Sequence, residues 1–396
     1  MKKTYKLYGM SASLYTAKAR SYLRKQNIDF VEFGVNNFHY SQQLLPKLGR
    51  LIMPVIESPG GQLVQDSSDI IDYFEQQGGA RKPAYPSNVV LQAISYLFEL
   101  FGSEGLLRPA MHYRWNFDTQ NLPYIKDEFI AGLAPANADS QTEDALFDFA
   151  SSRMRKACRG FGVTEQSETL IEASYSEFLQ LFSSHLQDFP YLLGHRPTLG
   201  DYALMGPLYA HLYRDPAPGM LMRQQAPAVA RWVERMNTRE DYWVEHSDVA
   251  PPLIDPQSLP TTLKALMQYI AVEYLPEIEA HVQFANHWLR QRPTLEAGTN
   301  GMDDPTTRTI GRAEFDWRGI RLTTLVIPYR FYLLQRLQDC FQNATRQAQS
   351  EIEALFADTE LLSLLTLTTD RKIERPQFFE VWGALRADAT VAEAEA

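Results

Sequence analysis

The spacing of apolar residues in the first 80 positions changes twice between a two-residue period and a helical period. Residues 4–9 and 28–35 alternate as strands do, while residues 15–27 between them carry apolar positions at helical spacing. This order predicts two parallel strands joined by a right-handed helical crossover. Residues 53–65 predict a hairpin, because Pro-Gly-Gly separates two apolar runs, and a short helix that ends in glycines follows.

From about residue 88 the alternation disappears and long stripes of apolar residues at helical spacing take over. These stripes predict a helical domain of roughly 160 residues. Thr198 and Asp201 have the spacing of a capping box, in which the hydroxyl meets the backbone N–H three residues on and the carboxylate reaches back. One helix of this domain is therefore predicted to begin at that point.

A proline-rich join at residues 247–260 introduces a third region. It is again mainly helical, and Pro276 is predicted to bend or break one of its helices. Residues 311–326 alternate on both sides of an Arg-Gly pair, so a hairpin is predicted there. The tail from residue 384 is small and acidic, and we expect it to be disordered.

Composition narrows the functional classes. The chain has 396 residues, a formal net charge of -10 and a sequence pI of about 5.4, which argues against a nucleic-acid or anionic-membrane partner. No apolar run approaches the roughly 20 residues that a membrane span requires, and the opening residues lack the apolar core of a secretory signal. The two cysteines, Cys158 and Cys340, have no metal-ligand or redox spacing. We therefore expect a cytoplasmic protein without a metal.

Three motifs in the first 245 residues or so carry a resemblance to a known family. They are LYGMSASLYTAKARSYL (7–23), MPVIES followed by QLVQDSSDIIDYFE (53–75), and YLLGHRPTLGDYALMGPL (191–208). They resemble the first strand with its active-site turn, the cis-proline strand with its acid-serine turn, and the helical-domain capping box of glutathione S-transferases. In this order the chain resembles the glutathione S-transferase superfamily, and its serine-type members in particular.

The resemblance implies a fold. Residues 1–82 are expected to form an α/β thioredoxin-like N-terminal domain, and residues 88–247 an all-α C-terminal domain of the family. It does not cover the rest of the chain. There the sequence alone predicts a mainly helical C-terminal extension over residues 250–383, with one hairpin, and a disordered tail over residues 384–396.

The second motif implies a glutathione-binding surface. A cis Met53-Pro54 bond would turn the N–H and C=O of Met53 outward, so that they pair with the extended cysteinyl unit of glutathione; otherwise Pro54 begins an edge strand. Ser67 at a helix N-terminus would take the α-carboxylate of the γ-glutamyl end. Asp66 would take its α-ammonium, although both residues also suit an N-cap.

Two more positions are expected to contact glutathione, one at its sulfur and one at its glycyl carboxylate. By resemblance, Ser13 is the catalytic residue that stabilises the glutathione thiolate, with Leu14 standing where the family usually has proline. Ser11 and Tyr8 remain alternatives. Arg50 is expected to meet the glycyl carboxylate, unless it is a solvated surface charge. Lys47 and His39 are further candidates for that role.

The resemblance therefore implies a glutathione-dependent transferase that activates the thiol of its co-substrate, glutathione, for attack on a small apolar electrophile, as in detoxification. The alternatives are a non-catalytic glutathione-binding or scaffold protein with this fold, and a glutathione-dependent isomerase or lyase. Residues 111–117 are aromatic and basic enough to wall the electrophile site. A homodimer through the first domain and the first helices of the second is expected from the family.

Overall fold

The first domain is built on a mixed sheet of four strands in the order β2-β1-β3-β4. The computed structural model describes residues 4–240, 245–246 and 252–386. Strands β1 and β2 run parallel, while β1 with β3 and β3 with β4 run antiparallel, so the predicted strand-helix-strand unit and hairpin are confirmed. The elements are β1 (Tyr5–Tyr8), α1 (Leu14–Lys25), β2 (Phe30–Phe33), α2 (Leu45–Leu48), β3 (Val55–Glu57), β4 (Leu63–Gln65) and α3 (Ser67–Gln76).

Alternation places one face of this sheet in the core. Leu7 of β1 and Ile56 of β3 are opposite each other in the register and almost fully buried. The apolar stripe of α1 contributes Ala19, Tyr22 and Leu23 to the same hydrophobic cluster, as its helical spacing requires. The peptide bond before Pro54 is cis, as the resemblance implied.

A helical domain follows, as predicted. Its helices are α4 (Val89–Leu100), α5 (Leu107–Trp115), α6 (Asp118–Leu133), α7 (Ser140–Gly160), α8 (Glu168–Asp188), α9 (Leu199–Ala210), α10 (Pro216–Gln225) and α11 (Pro227–Met236). Helix α9 lies in the centre, packed against both α1 and α4. The capping box of Thr198 and Asp201 begins α9, so that prediction is confirmed.

The C-terminal extension is mainly helical and contains two hairpins. Its elements are α12 (Thr261–Glu273), α13 (Leu275–Arg290), β5 (Gly311–Trp317), β6 (Ile320–Val326), α14 (Pro328–Gln342), α15 (Arg346–Asp358), β7 (Arg371–Glu374) and β8 (Val381–Leu385). Pro276 lies in the first turn of α13, just after the break that it was predicted to cause. The predicted hairpin is β5–β6, and the hairpin β7–β8 was not predicted.

Helix α14 packs against α4 and also runs beside α3. Three carboxylates spaced three residues apart at the start of α3 meet three side chains on one face of α14. The pairs are Tyr329 with Asp66 (3.0 Å), Tyr332 with Asp69 (2.9 Å) and Arg336 with Asp72 (2.6 Å). Because residues three and four apart share a helix face, this ladder fixes both the direction and the register of α14 on the first domain.

A buried group of charges joins the extension to the helical domain. Glu277 of α13 pairs with Arg330 of α14 at 2.6 Å and also with Arg108 of α5. Arg108 pairs in addition with Glu273, and Arg330 with Glu104. All five side chains are at most 4% exposed. Buried charges are tolerated only when paired and hydrogen-bonded, so this contact depends on the whole group.

The extension was predicted to begin after a join near residue 247 and to end at residue 383. Ala384 and Leu385 lie in β8, so the tail is not disordered from residue 384 as expected; pairing with β7 orders these positions. Residues 387–396 lie outside the described residues, as does the join at 247–251 where the second domain was expected to end. Within the described ranges, no helix combines the length and the apolar character needed to cross a bilayer.

Candidate functional site

The N-terminus of α1 presents the residue predicted to be catalytic. Ser13 is the N-cap, and its Oγ accepts a hydrogen bond from the N–H of Thr16 at 3.2 Å. A hydroxyl that accepts from the helix still has its own proton to donate. The positive end of the helix dipole lies at the same place and favours an anion there. Ser13 is partly buried, whereas Ser11 is exposed.

The turn before α1 is held from the helical domain. Arg114, buried in α5, donates to the carbonyl oxygen of Ala12 at 2.9 Å. Its guanidinium also pairs with the buried Asp215 through two hydrogen bonds of 2.7 Å. A planar guanidinium held by a bidentate carboxylate has little freedom, so the second domain fixes the position of the residue next to Ser13.

Tyr8, the alternative to Ser13, is directed elsewhere. Its hydroxyl donates to Oε2 of Glu57 at 3.0 Å, and burial together with this carboxylate raises the pKa of Tyr8. His39 contacts the same oxygen at 3.2 Å. Tyr8 and His39 thus share one carboxylate on β3. Lys47 is exposed in α2.

The two halves of the second motif lie side by side. The N–H of Asp66 donates to the carbonyl oxygen of Pro54 at 3.2 Å, which ties the acid-serine turn to the proline strand. Asp66 has φ 86° and ψ 143°, a conformation that is uncommon for a residue other than glycine. Its carboxylate caps α3 by accepting from the N–H of Ser68 at 2.8 Å. Backbone held in this region is often found at ligand sites.

Ser67 is the first residue of α3 and is completely buried. Among the residues that the structure describes, none forms a hydrogen bond with its Oγ. Buried hydroxyls nearly always have a partner, because leaving one unpaired costs about 1–3 kcal/mol. The N-terminus of α3 also favours an anion. This position therefore has the chemistry to hold a carboxylate.

The extension adds groups to Asp66 that sequence reasoning did not anticipate. Tyr329 donates to Oδ1 of Asp66, and Arg375 lies 3.6 Å from the same oxygen. Arg375 also donates to Oε1 of Gln65 at 2.8 Å. Burial alone would raise the pKa of Asp66, but the charges of Arg375 and Lys18 and the N–H of Ser68 hold it below its ordinary value. Asp66 is therefore an anion that already faces a cation.

Arg50 likewise meets the extension. It donates to the carbonyl oxygen of Phe378 at 2.8 Å and lies 3.3 Å from Oε2 of Glu380, and its guanidinium stacks 4.7 Å from the ring centre of Phe379. Burial alone would raise the pKa of Glu380, but Arg308, Arg50 and Arg375 hold it below its ordinary value. Arg50 is therefore not a solvated surface charge but part of a contact between the first domain and the extension.

Arg308 completes the group. Its Nε lies 4.0 Å from Oε2 of Glu380, and its side chain is 42% exposed. Its guanidinium also interacts electrostatically with Tyr15 and Tyr329. Tyr15 follows Leu14 in α1 and donates to Glu104 at 2.8 Å. The four extension residues at this site, Tyr329, Arg375, Glu380 and Arg308, have no motif that would have identified them; only the three-residue spacing of the aspartates on α3 hinted at a partner.

The predicted electrophile wall, residues 111–117, lies at the end of α5 and in the two residues that follow it. Met111 and Trp115 of α5 are buried in one apolar cluster that also contains Met10 and Ala12. The hairpin β5–β6 contributes Trp317 to the same cluster. Apolar side chains of α5 thus lie in the same cluster as the turn before α1, but they are buried there and do not form an open surface. In the described parts of the chain, no group of three or more His, Cys, Asp or Glu side chains has the geometry to hold a metal ion.

Comparison with known families agrees with this arrangement. Residues 7–82 match the family description "Glutathione S-transferase, N-terminal domain", and residues 149–240 match "Glutathione S-transferase, C-terminal domain". The chain belongs to the glutathione S-transferase superfamily. Its fold is therefore the thioredoxin-like N-terminal domain and the helical C-terminal domain of that superfamily, followed by a further, mainly helical extension. Among curated proteins, none matches the chain.

Solved structures show weaker similarity. A glutathione S-transferase from Rhodospirillum rubrum F11 is 16% identical over 66% of this chain and 99% of its own, with a TM-score of 0.39. The β-etherase LigF from Sphingobium sp. strain SYK-6 is 15% identical over 60% of this chain and 96% of its own, with a TM-score of 0.42. Rice GST1, solved in complex with glutathione, is 13% identical over 59% of this chain and 86% of its own, with a TM-score of 0.35.

Proposed function

We propose that this protein is a glutathione-dependent transferase that activates the thiol of glutathione for attack on a small apolar electrophile. The observation that carries the proposal is Ser67: a completely buried hydroxyl at the N-terminus of α3, unpaired among the described residues, in a domain of the glutathione S-transferase type. A carboxylate such as that of the γ-glutamyl end would satisfy it. Asp66 next to it supplies the negative charge for the α-ammonium.

The chemistry assigned to Ser13 is stabilisation of a thiolate. A free thiol has a pKa of about 8.5, so lowering it by about two units requires roughly 2.7 kcal/mol of preferential stabilisation of the anion. The thiol would lose its proton to solvent, and the O–H of Ser13, which is not used in capping α1, would donate a hydrogen bond to the resulting thiolate, with the helix dipole behind it. The thiolate would then attack the electrophile, form the carbon–sulfur bond and expel the leaving group with its electron pair.

The test is the ultraviolet absorption of the thiolate when glutathione is titrated into the protein. Ser13→Ala should lose this band and the turnover of a model electrophile, because no hydroxyl remains at the N-cap of α1. Ser11→Ala is the matched control, since Ser11 is exposed two residues earlier. If Ser13→Ala keeps both signals, Ser13 is not the thiolate-stabilising residue, and their loss in Ser11→Ala would transfer the role to Ser11.

A specific observation also favours the non-catalytic alternative. Arg375 and Glu380 already contact Asp66 and Arg50, the residues proposed for the two ends of glutathione. A glutathione-binding or scaffold protein would bind the tripeptide without turning over any electrophile. Retention on immobilised glutathione together with no conjugate formation across a panel of electrophiles would support this second function.

The electrophile remains a prediction from resemblance, and the cytoplasmic location remains a prediction from composition. The family's homodimer also remains a prediction, and the packing of α14 weighs against its usual form. In this chain α14 covers part of the expected dimer surface, because it lies on α4 and beside α3, the helices that a family dimer is expected to use. A dimer formed through that face would have to displace α14 or use other parts of the surface.

A further inference from the structure

The hairpin β7–β8 reaches into the candidate site with a short connecting segment, residues 375–380, which we call the strap tip. The base of the hairpin is anchored on α14, because the side chain of Gln335 hydrogen-bonds both the N–H (2.6 Å) and the C=O (2.9 Å) of Ile373. Trp382 of β8 is buried and stacks on Trp288 of α13 at 6.0 Å. The base therefore has its own place in the core of the extension.

The strap tip differs from its base. Pro376 and Gln377 at its centre are exposed, and Gln377 and Phe378 both have positive φ, 52° and 74°. Two successive residues other than glycine in this region are held by surrounding contacts rather than by their own preference. Those contacts are mainly polar and come from the first domain: Gln65, Asp66 and Asp69 at one end, and Arg50 at the other.

The two charged side chains of the strap tip have the same signs, at the same positions, as the two charged groups expected at the ends of bound glutathione. A cation, Arg375, faces Asp66, where the α-ammonium of the γ-glutamyl end is expected. An anion, Glu380, faces Arg50, where the glycyl carboxylate is expected. Between them, Phe378 belongs to the same apolar cluster as Met53, the residue expected to pair with the cysteinyl unit. The tip thus contacts or adjoins three of the positions that the tripeptide would use.

We propose that the strap tip is a built-in competitor of glutathione, with Arg375 and Glu380 as its two binding groups. This inference rests on the proposed function, because it takes Asp66 and Arg50 to be glutathione-binding residues. Oδ1 of Asp66 already accepts from Tyr329 and from the N–H of Ser68. An α-ammonium at this carboxylate would therefore compete with Arg375 for the same contact, and a glycyl carboxylate would compete with Glu380 for Arg50. Glutathione therefore binds fully only when the tip leaves, while Gln335 and Trp382 keep the base in place.

The test compares glutathione affinity by calorimetry in the full-length protein, the double variant Arg375→Ala/Glu380→Ala, and the control Lys372→Ala. Lys372 lies at the base of the same hairpin and pairs with Asp339, away from the site. If the free protein holds the tip in place nine times in ten, removing its two binding groups should tighten binding about tenfold. The control should match the wild type.

A second measurement uses the wild type alone and does not depend on the folding of a variant. Hydrogen exchange of the amides at positions 375 and 377–380 should become faster when glutathione saturates the protein, while that of Ile373 should not change. Slower exchange at the tip, or weaker binding in the double variant, would mean that the tip is part of the binding site and would overturn the inference. Equal affinity in all three proteins would overturn it and leave the proposed function standing. Absence of binding in all three would overturn the proposed function and, with it, this inference.

Discussion

Glu277 is the residue on which the contact between the extension and the helical domain depends most. It is 3% exposed, and its two carboxylate oxygens pair with Arg330 and Arg108 from two different regions of the chain. Replacing Glu277 with glutamine keeps the shape of the side chain and removes its charge. We expect Glu277→Gln to weaken the fold strongly, because it leaves two buried guanidiniums without their shared anion.

The size of the effect follows from the pKa of Glu277. Burial alone would raise this pKa, but Arg330 and Arg108 lower it to about 2, against an ordinary value of 4.5. A difference of about 2.5 units corresponds to about 3 kcal/mol of folding free energy at neutral pH. Since the pKa is lower in the folded state, this stabilisation is complete above pH 4.5 and decreases as the pH falls towards 2. At pH 3 roughly 2 kcal/mol of it is lost.

The assay is urea unfolding followed by far-ultraviolet circular dichroism at pH 7 and at pH 3. At pH 7, Glu277→Gln should be less stable than the wild type by about 3 kcal/mol. Between pH 7 and pH 3, the wild type should lose about 2 kcal/mol more than the variant does, because the variant has no carboxyl at this position to protonate. Acid-sensitive groups that lie away from Glu277 act equally in both proteins and cancel in the difference.

The control is Glu314→Gln. Glu314 pairs with Arg321 at 3.6 Å, but both side chains are about 60% exposed, so the change should stay within about 0.5 kcal/mol at either pH. If the wild type and Glu277→Gln lose the same stability between pH 7 and pH 3, the pKa of Glu277 is not depressed and the reasoning fails. If the variant is as stable as the wild type at pH 7, the charge group does not hold the extension in place.

Three further predictions concern other parts of the molecule. Ser68→Ala should lower the unfolding free energy by about 1–3 kcal/mol, because Ser68 Oγ bridges the buried pair of Lys18 and Glu99 at 2.8 and 2.7 Å; a denaturation curve that matches the wild type would contradict this. Burial raises the pKa of Cys158 to about 11, so its thiol should not react with a disulfide reagent at pH 7.5 until the protein is denatured. Prompt reaction of Cys158 in the native state would show that its thiol is accessible. Light scattering after gel filtration should give the monomer mass of 45.3 kDa, since α14 lies on the helices that a family dimer would use; a mass twice as large would show that another surface pairs.

The sequence was informative where structure is local. The strand and the helix on either side of Ser13 lie within about 20 residues, and periodicity suffices to predict them. The acid-serine turn of Asp66 and Ser67 was predicted from resemblance to the family. These motifs could not show whether each residue caps a helix or binds a ligand, because a side chain suited to capping a helix is also suited to binding an anion.

The extension's share of the site was not predictable for a physical reason. Tyr329 contacts Asp66 across 263 positions of the chain, and Arg50 meets Phe378 across 328. Periodicity reports only on neighbours within one element. The hairpin β7–β8 was also missed, since strands of four and five residues give too short an alternating pattern to distinguish from a loop.

The aspartate ladder between α3 and α14 has a consequence for how the molecule behaves on dilution. A surface that the family resemblance assigns to a second subunit is occupied here by a helix of the same polypeptide. A tethered partner acts at a fixed effective concentration, typically on the order of millimolar, whereas separate subunits dissociate as the protein is diluted. Tyr329 should therefore stay in contact with Asp66 even when the protein is present at a few molecules per cell.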